Sequence, residues 1–137
     1  MENEMTVEDA YMAFELGAII SGVDLVSEFY GNSSYNWNLI QVLTALRPHR
    51  AGYRILITTS IKESKREEVK KLISNFMGFE EDYDLLMRAD DDNRDYMEIK
   101  NEWFHNGKIK YPVRMFFERS NVHADMWRGL GLNSAQV

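Results

Sequence analysis

The sequence predicts a doubly wound α/β domain, a Rossmann-like three-layer sandwich with a mainly parallel sheet. Short apolar runs alternate along the chain with longer segments in which apolar residues recur at helical spacing. The run that ends at Thr58 is almost continuously apolar, as expected for a parallel strand that is covered on both faces. A length of 137 residues suits a single domain with one core.

The first residues of the chain have the pattern of a helix start. Thr6 is suited to cap the backbone, and the acidic residues after it complement the helix dipole in the first turn. Gly17 is suited to end this helix. We therefore predict an N-terminal helical extension at 1–17, followed by an α/β domain at 18–137.

The stretch Ala18–Val26 is predicted as the first strand of that domain. It begins with a short apolar run, although several of its apolar residues also fall at helical spacing. A helix through this stretch would hold Gly17 and Gly22 in its interior, at a cost of about 1 kcal/mol each. A strand is therefore the favoured interpretation, and a helix is the alternative.

Alternating helices and strands follow to the end of the chain. In order, we predict a helix at Asn38–Leu46, a strand at Ile55–Thr59, a helix at Lys62–Phe76, a strand at Asp84–Arg88, a helix at Asp95–His105, a strand at Tyr111–Phe117 and a helix at Val122–Leu130. Functional sites of doubly wound sheets form at the carboxyl ends of the strands. The residues predicted at those ends are Gly22–Asp24, Thr58, Arg88 and Phe117–Arg119.

The composition excludes several classes of protein. The chain has no cysteine, which excludes disulfides, thiolate metal sites and cysteine nucleophiles. Its net charge of −6, from 22 acidic and 16 basic residues, argues against broad binding to nucleic acid. The acidic N-terminus is unlike a secretory signal, and no apolar run approaches the roughly 18 residues that span a membrane. We therefore expect a cytoplasmic protein without a membrane segment.

At Phe116–Arg119 and Met126–Gly131, and in three further blocks, the sequence resembles the haloacid-dehalogenase-like (HAD-like) phosphatases, and in particular the 3′-phosphatase domain of phage polynucleotide kinases. The family's Phe-Asp-Asp-Arg and Met-Trp-Arg-x-Leu-Gly motifs are similar to Phe116–Arg119 and Met126–Gly131. Its Met-Arg…Asp-x-Arg…Lys-x-Glu pattern is similar to Met87-Arg88, Asp92, Arg94 and Lys100-Asn101-Glu102. Its phosphate-binding strand resembles Ile55–Thr58, and its Ile-Phe-Asp-Val-Asp-Gly-Thr strand is similar to Ala18–Asp24. The resemblance covers about 18–137 and implies a HAD-like fold without a large cap domain.

The resemblance also implies that the family's chemistry is lost. In this family one aspartate attacks phosphorus, a second, two residues later, acts as acid and base, and further aspartates hold magnesium. Laid on this chain, the nucleophile position is Gly22, which has no side chain. Two other carboxylate positions fall on Tyr96 and Phe117. The chain is therefore interpreted as a pseudophosphatase.

Some polar residues of the family pattern remain. The relic catalytic positions are Gly22, Asp24, Thr58, Lys100 and Glu118, which form no intact catalytic set. The candidates for phosphate binding are Thr58, Thr59, Arg88, Lys100 and Arg119. No metal site is intact, and the remaining candidate ligands are Asp24 and Glu118. We expect no cofactor, except magnesium if the domain is a residual phosphatase.

Ordinary structural roles compete with these interpretations. Thr58 is equally suited to cap the next element, and a lysine such as Lys100 in a charged helix is commonly solvated. Trp127 falls at helical spacing with apolar neighbours and is predicted to be core. The histidines lie in separate elements without metal-ligand spacing, and we expect them at the surface.

Three functions remain open at this point. The first is a non-catalytic phage-type protein, located in the host cytoplasm if phage-encoded, that binds a host protein such as a defence nuclease, or a phosphorylated nucleotide or nucleic-acid end. The second is a residual Mg-dependent 3′-phosphatase of polynucleotide ends, in which Asp24 or Glu118 supports attack by water. The third is an oligomerisation module, such as a homodimer formed through Tyr11, Met12 and Phe14 of the predicted first helix.

Overall fold

A parallel five-stranded sheet forms the middle layer of this computed structural model, which describes residues 9–21, 34–77 and 82–137. Along the chain, the elements are β1 (Tyr11–Glu15), α1 (Leu16–Ile19), β2 (Ile20–Ser21), β3 (Ser34–Tyr35), α2 (Trp37–Leu46), β4 (Arg54–Lys62), α3 (Arg66–Met77), β5 (Tyr83–Arg88), α4 (Tyr96–His105), β6 (Val113–Glu118), α5 (Asn121–Gly129) and β7 (Ser134–Gln136). The strand order is β5-β4-β1-β6-β7, and each neighbouring pair is parallel. The predicted doubly wound α/β class is confirmed.

Two apolar clusters, one on each face of the sheet, form the core. Side chains alternate along β1, so Met12 and Phe14 face one side while Tyr11 and Ala13 face the other. The first pair packs with buried residues of α2 and α3. The second pair packs with Trp127 of α5, and residues of α4 lie against this cluster. The result is the predicted three-layer arrangement.

The predicted N-terminal helix is wrong over the described part of 1–17. Residues Tyr11–Glu15 form β1, which lies in the middle of the sheet between β4 and β6. Tyr11, Met12 and Phe14 are at most 9% exposed, because both helical layers cover them. Burial on two faces therefore decides the conformation here, and a dimer contact through these three side chains is excluded. The capping signal at Thr6 lies outside the described residues.

The predicted strand at Ala18–Val26 is also wrong at its start. Leu16–Ile19 is a single helical turn, and Ile20–Ser21 forms a short antiparallel pair with Ser34–Tyr35. Residues 22–33 lie outside the described residues, and with them Gly22 and Asp24. The strand that enters the sheet at this point of the fold is β1, and it ends at Glu15.

The elements predicted after Asn38 are confirmed, with bounds that differ by a few residues. Side chains of Asn36, Asp95 and Ser120 accept hydrogen bonds from backbone N–H groups in the first turns of α2, α4 and α5. Gly131 has a φ of 83°, which suits a glycine beyond the end of α5. The short strand β7 is an addition to the predicted elements. Within the described ranges, no helix has the length and apolar character needed to cross a bilayer.

Candidate functional site

Three polar side chains meet at the carboxyl end of the sheet. Glu15 ends β1, Thr58 lies in β4, and Glu118 ends β6. The parallel register pairs Glu15 directly with Thr58. Two positions earlier in the same strands stand Ala13, Leu56 and Phe116, which belong to the core cluster around Trp127. The three polar side chains therefore point to that side of the sheet.

The ammonium group of Lys100 joins these side chains from α4. The side chain is fully buried, and its Nζ lies 2.8 Å from Oε2 of Glu15 and 2.9 and 3.0 Å from the two carboxylate oxygens of Glu118. Nδ1 of His123 lies 3.0 Å from the same atom, and the ring of Tyr96 has its centroid 4.3 Å away. An ammonium group has three protons, and three partners receive them. The buried charge is therefore fully paired.

The carboxylate of Glu15 is held by three donors. Thr58 Oγ1 donates to Oε2 at 3.0 Å, and the hydroxyl of Tyr96 lies 2.9 and 3.1 Å from the two oxygens. Lys100 supplies the third donor and the compensating charge. Only 11% of the Glu15 side chain is exposed. Charge-assisted bonds of this kind fix the position of the carboxylate.

The ionisation of the neighbours agrees with these bonds. Burial and the charge of Glu15 raise the pKa of the Tyr96 hydroxyl well above its usual value, so that it stays protonated and donates. Burial and the charge of Lys100 lower the pKa of His123, so that its ring is neutral and Nδ1 accepts from Lys100. Burial raises the pKa of the Glu15 carboxyl, and the charge of Lys100 opposes that rise.

Glu118 is fixed from the opposite direction by α5. Trp127 is fully buried, and its Nε1 donates to Oε2 of Glu118 at 2.6 Å. The indole stacks on Phe116 with 3.9 Å between ring centroids. The prediction of Trp127 as core is therefore confirmed, with a polar contact in addition. We refer to Glu15, Thr58, Tyr96, Lys100, Glu118 and His123 as the carboxyl-end cluster.

A cavity of about 190 Å³ opens beside the carboxyl-end cluster. Besides members of the cluster, it is lined by Gly17, Ser60, Arg119 and Ser120. Gly17 stands two positions after Glu15 and contributes no functional group to the cavity. The cavity therefore has one carboxylate at the end of β1 and no acid two positions later.

The structure brings together some of the predicted site residues. Thr58, Lys100 and Glu118 belong to the carboxyl-end cluster, and Arg119 lines the cavity beside it. The hydroxyl of Thr59, in contrast, accepts a hydrogen bond from the backbone N–H of Ile61. Gly22 and Asp24 lie outside the described residues.

Arg88, another predicted phosphate ligand, is engaged with the backbone. Its guanidinium donates to the carbonyl oxygens of Ser60, Asp92 and Arg94 at 3.1, 2.9 and 2.6 Å. These bonds tie the end of β4 to the loop before α4. Arg88 therefore has a structural role in orienting that loop.

The described residues do not fit the magnesium ion that the family resemblance implies. No group of three histidine, aspartate or glutamate side chains within the described ranges is arranged to hold a metal ion. The two carboxylates of the carboxyl-end cluster share the ammonium of Lys100, and Glu118 also accepts from Trp127. A hard dication requires several free oxygen ligands, which these residues do not offer.

The sequence does not predict that Glu15, Tyr96 and His123 surround Lys100. A signal for Glu15 is present: four residues with strand-forming or small side chains, Tyr11–Phe14, precede an acidic residue and then Gly17. The helix-start pattern upstream competes with that signal. The sequence predicts His123 at the surface, but it is half-buried and contacts Lys100.

Comparisons with known solved structures agree with the fold. Two solved structures, described as the Pnkp1/Rnl/Hen1 complex and the Pnkp1/Rnl/Hen1 RNA repair complex, are 24% and 23% identical to this chain, with TM-scores of 0.71 and 0.69. Each match covers all of this chain but only 48% and 45% of the other chain, so this chain spans about half the length of these structures. Their likeness supports the HAD-like fold. No curated protein matches the chain.

The match to a family model is more specific than the structural likeness. The model describes the polynucleotide kinase PNKP phosphatase domain, and it matches residues 27–137. That range contains Thr58, Lys100 and Glu118, while Glu15 and β1 precede it. The matched range is more than half of the chain, and the chain therefore belongs to the family of the polynucleotide kinase PNKP phosphatase domain.

Proposed function

We propose that this domain is a non-catalytic member of its family, a pseudophosphatase that acts by binding another macromolecule. The observation that carries the proposal is the state of Glu15. Its carboxylate stands at the end of the central strand, where a nucleophile would be required, but Thr58, Tyr96 and Lys100 all donate to it. A nucleophile needs a lone pair directed at the substrate, but Oε2 accepts from all three donors, and Oε1 lies 3.1 Å from the Tyr96 hydroxyl.

The absence of an acid near Glu15 supports the same proposal. Expulsion of a 3′-hydroxyl from a phosphate ester requires a proton, and a positioned acid contributes roughly 10²–10⁴-fold to such a step. Gly17 supplies none. His123 and Tyr96 line the cavity, but the shifts in their pKa values keep His123 without its extra proton and the Tyr96 proton tightly bound.

A protein partner is the favoured binding class. The similar structures are described as assemblies of several proteins, and this chain covers about half of the chains it matches. A net charge of −6 disfavours a nucleic-acid backbone as the main partner. A host protein, such as a defence nuclease, is the partner that the sequence suggests.

Affinity capture from host lysate, with nuclease treatment of one half of the sample, tests this class of partner. Capture that requires nucleic acid would contradict the proposal of a protein partner.

A residual 3′-phosphatase is the second candidate, and one observation favours it. A carboxylate does stand at the carboxyl end of β1, although it belongs to Glu15 rather than to the predicted position Gly22. Residual activity would form a bond from Glu15 to phosphorus and break the bond to the 3′-oxygen, which would take its proton from water. Water would then hydrolyse the acyl phosphate, and Lys100 would balance charge in both steps. The side chain of Glu15 is one methylene longer than the family's aspartate, and Gly17 supplies no acid. Both features oppose residual activity.

Release of phosphate from a 3′-phosphorylated oligonucleotide in the presence of Mg²⁺ separates the two candidates. The wild type and the variant Glu15→Ala should both match the rate without protein. A matched control is Glu102→Ala, which removes an exposed carboxylate on α4. Turnover by the wild type and by Glu102→Ala that is absent in Glu15→Ala would establish the second candidate and exclude the first.

A further inference from the structure

We propose that the carboxyl-end cluster is an oxyanion-binding site whose resident ligand is the chain's own Glu15 carboxylate. The inference deepens the non-catalytic proposal, because it explains why an outside phosphate would not be taken up here, and it is testable separately. The ligand class of the site is a small oxyanion, either a carboxylate or a phosphate.

The arrangement of donors is the first argument. Donors from two separate elements converge on one carboxylate: Thr58 from β4, and Tyr96 and Lys100 from α4. Two hydroxyl groups and one ammonium group around a single point form the usual environment of a bound oxyanion. Lys100 and Thr58 are at most 3% exposed, so the donors are built into the core.

The charge balance is the second argument. Lys100 contributes one positive charge, and Glu118 is its second carboxylate partner at 2.9 Å. Glu118 alone balances that charge, and Glu15 adds a second carboxylate, so the site already holds one negative charge more than its buried cation. An additional phosphate would lie close to two carboxylates. The cations in the described lining of the cavity are Lys100 and the exposed Arg119. Repulsion between like charges at short range therefore disfavours a second anion.

The covalent attachment of Glu15 is the third argument. A ligand that is part of the chain binds with a high effective concentration and loses little further freedom on binding. Its backbone is fixed because β1 is paired on both sides, to β4 and β6. A free anion must displace this group completely in order to reach Thr58 and Lys100. The wild-type site is thus closed to small oxyanions.

Removal of the resident carboxylate tests the proposal. Glu15→Ala deletes one methylene and one carboxylate, which together correspond to acetate. We expect acetate and inorganic phosphate, at constant ionic strength, to give a saturable rise in the Tm of Glu15→Ala of about 3 °C or more. The wild type and Glu102→Ala should show no saturable rise, and acetamide, the neutral analogue, should have no such effect on Glu15→Ala.

Several outcomes would overturn the inference. A saturable rise with phosphate in the wild type equal to that in Glu15→Ala would show that Glu15 does not occupy the site. No rise in Glu15→Ala would show that the donors do not form an oxyanion site. If Glu15→Ala does not fold, its recovery is measured by circular dichroism during refolding with and without acetate, and no recovery at any acetate concentration would also contradict the inference. Phosphatase activity of the wild type that is lost in Glu15→Ala would contradict the proposed function and the closed site together, whereas a saturable rise with phosphate in a wild type without turnover would overturn this inference alone.

Discussion

Oε2 of Glu15 lies 2.8 Å from Nζ of Lys100, and this bond joins the central strand β1 to helix α4 inside the protein. The two residues are 85 positions apart in the sequence (100 − 15), so only the parallel sheet and the crossover helices bring them together. Glu118 completes the group from β6. Three elements are thus held at one point by charges that are nearly excluded from water.

Replacement of Lys100 by methionine should destabilise the domain strongly. The change leaves the carboxylates of Glu15 and Glu118 buried without their cation, and loss of one partner of a buried ion pair costs about 3–5 kcal/mol. Urea denaturation of Lys100→Met measures this loss. Arg94→Ala, which breaks an exposed ion pair with Asp92, is the control and should cost much less. An equal effect of the two substitutions would contradict the expected importance of burial.

Replacement of the carboxylates of Glu15 and Glu118 should partly restore the stability that is lost in Lys100→Met. The triple variant Lys100→Met, Glu15→Gln, Glu118→Gln contains no charge at these three positions, so no buried carboxylate remains unpaired. We expect its free energy of unfolding to lie above that of Lys100→Met alone. A triple variant less stable than Lys100→Met would show that the carboxylates do not repel each other in the absence of the ammonium group.

The stability of the domain should depend on pH through His123. The folded-state pKa of His123 is lowered by burial and by Lys100, while the unfolded value is about 6.5. The unfolded chain therefore binds the proton more readily, and stability falls as the pH decreases below about 6.5. His123→Asn retains an acceptor for Lys100 but has no titrating group. The stability of His123→Asn should therefore decrease less than that of the wild type as the pH falls. An unchanged slope of stability against pH would contradict the role assigned to His123.

Glu15 should contribute a pH dependence of the opposite sign. Burial raises its folded-state pKa, whereas the unfolded value is about 4.3. The folded chain therefore retains the proton longer, and this contribution to stability is lost as the pH rises from about 4.3 through the raised value. Glu15→Gln removes the titration. The difference in free energy of unfolding between wild type and Glu15→Gln, measured by urea denaturation from pH 4 to pH 7, should change in favour of the variant as pH rises.

Trp127 should be more sensitive to substitution than an exposed tryptophan. Trp127→Phe preserves an aromatic ring against Phe116 but removes one of the two donors to Oε2 of Glu118, and a hydrogen bond to a charged group contributes about 1.5–3 kcal/mol. Trp37→Phe is the matched control because Trp37 is 61% exposed, and its effect should be within about 0.5 kcal/mol. Thermal unfolding distinguishes the two variants. Similar losses would indicate that the bond to Glu118 contributes little.

The fold class could be predicted from the sequence because most of its elements have strong periodicity. The apolar run of β4 and the amphipathic pattern of α3 are local signals that agree with the fold. The conformation of Tyr11–Glu15 could not be assigned in this way. Its local pattern is short, and the decisive factor is burial between β4 and β6, which the linear sequence does not display.

The site could be predicted only in part for the same reason. Family motifs identified Thr58, Lys100 and Glu118, whose positions follow clear strands and helices. The family resemblance places the nucleophile position at Gly22, after a strand predicted at Ala18–Val26, whereas the central strand of the structure is β1, which ends at Glu15. The contacts of Tyr96 and His123 depend on how α4 and α5 pack against the sheet, and no spacing rule encodes that packing.

The most direct measurement of whether Glu15 closes the site compares the binding of two oligonucleotides. One strand ends in a 3′-phosphate, and the other, of the same sequence, ends in a 3′-hydroxyl. Isothermal titration of the wild type, with Mg²⁺ present, should give the same affinity or the same absence of binding for both strands. Tighter binding of the phosphorylated strand, lost when Thr58 is replaced by valine, would contradict the conclusion that the site is closed, and release of phosphate from that strand would contradict the proposal that the domain is non-catalytic.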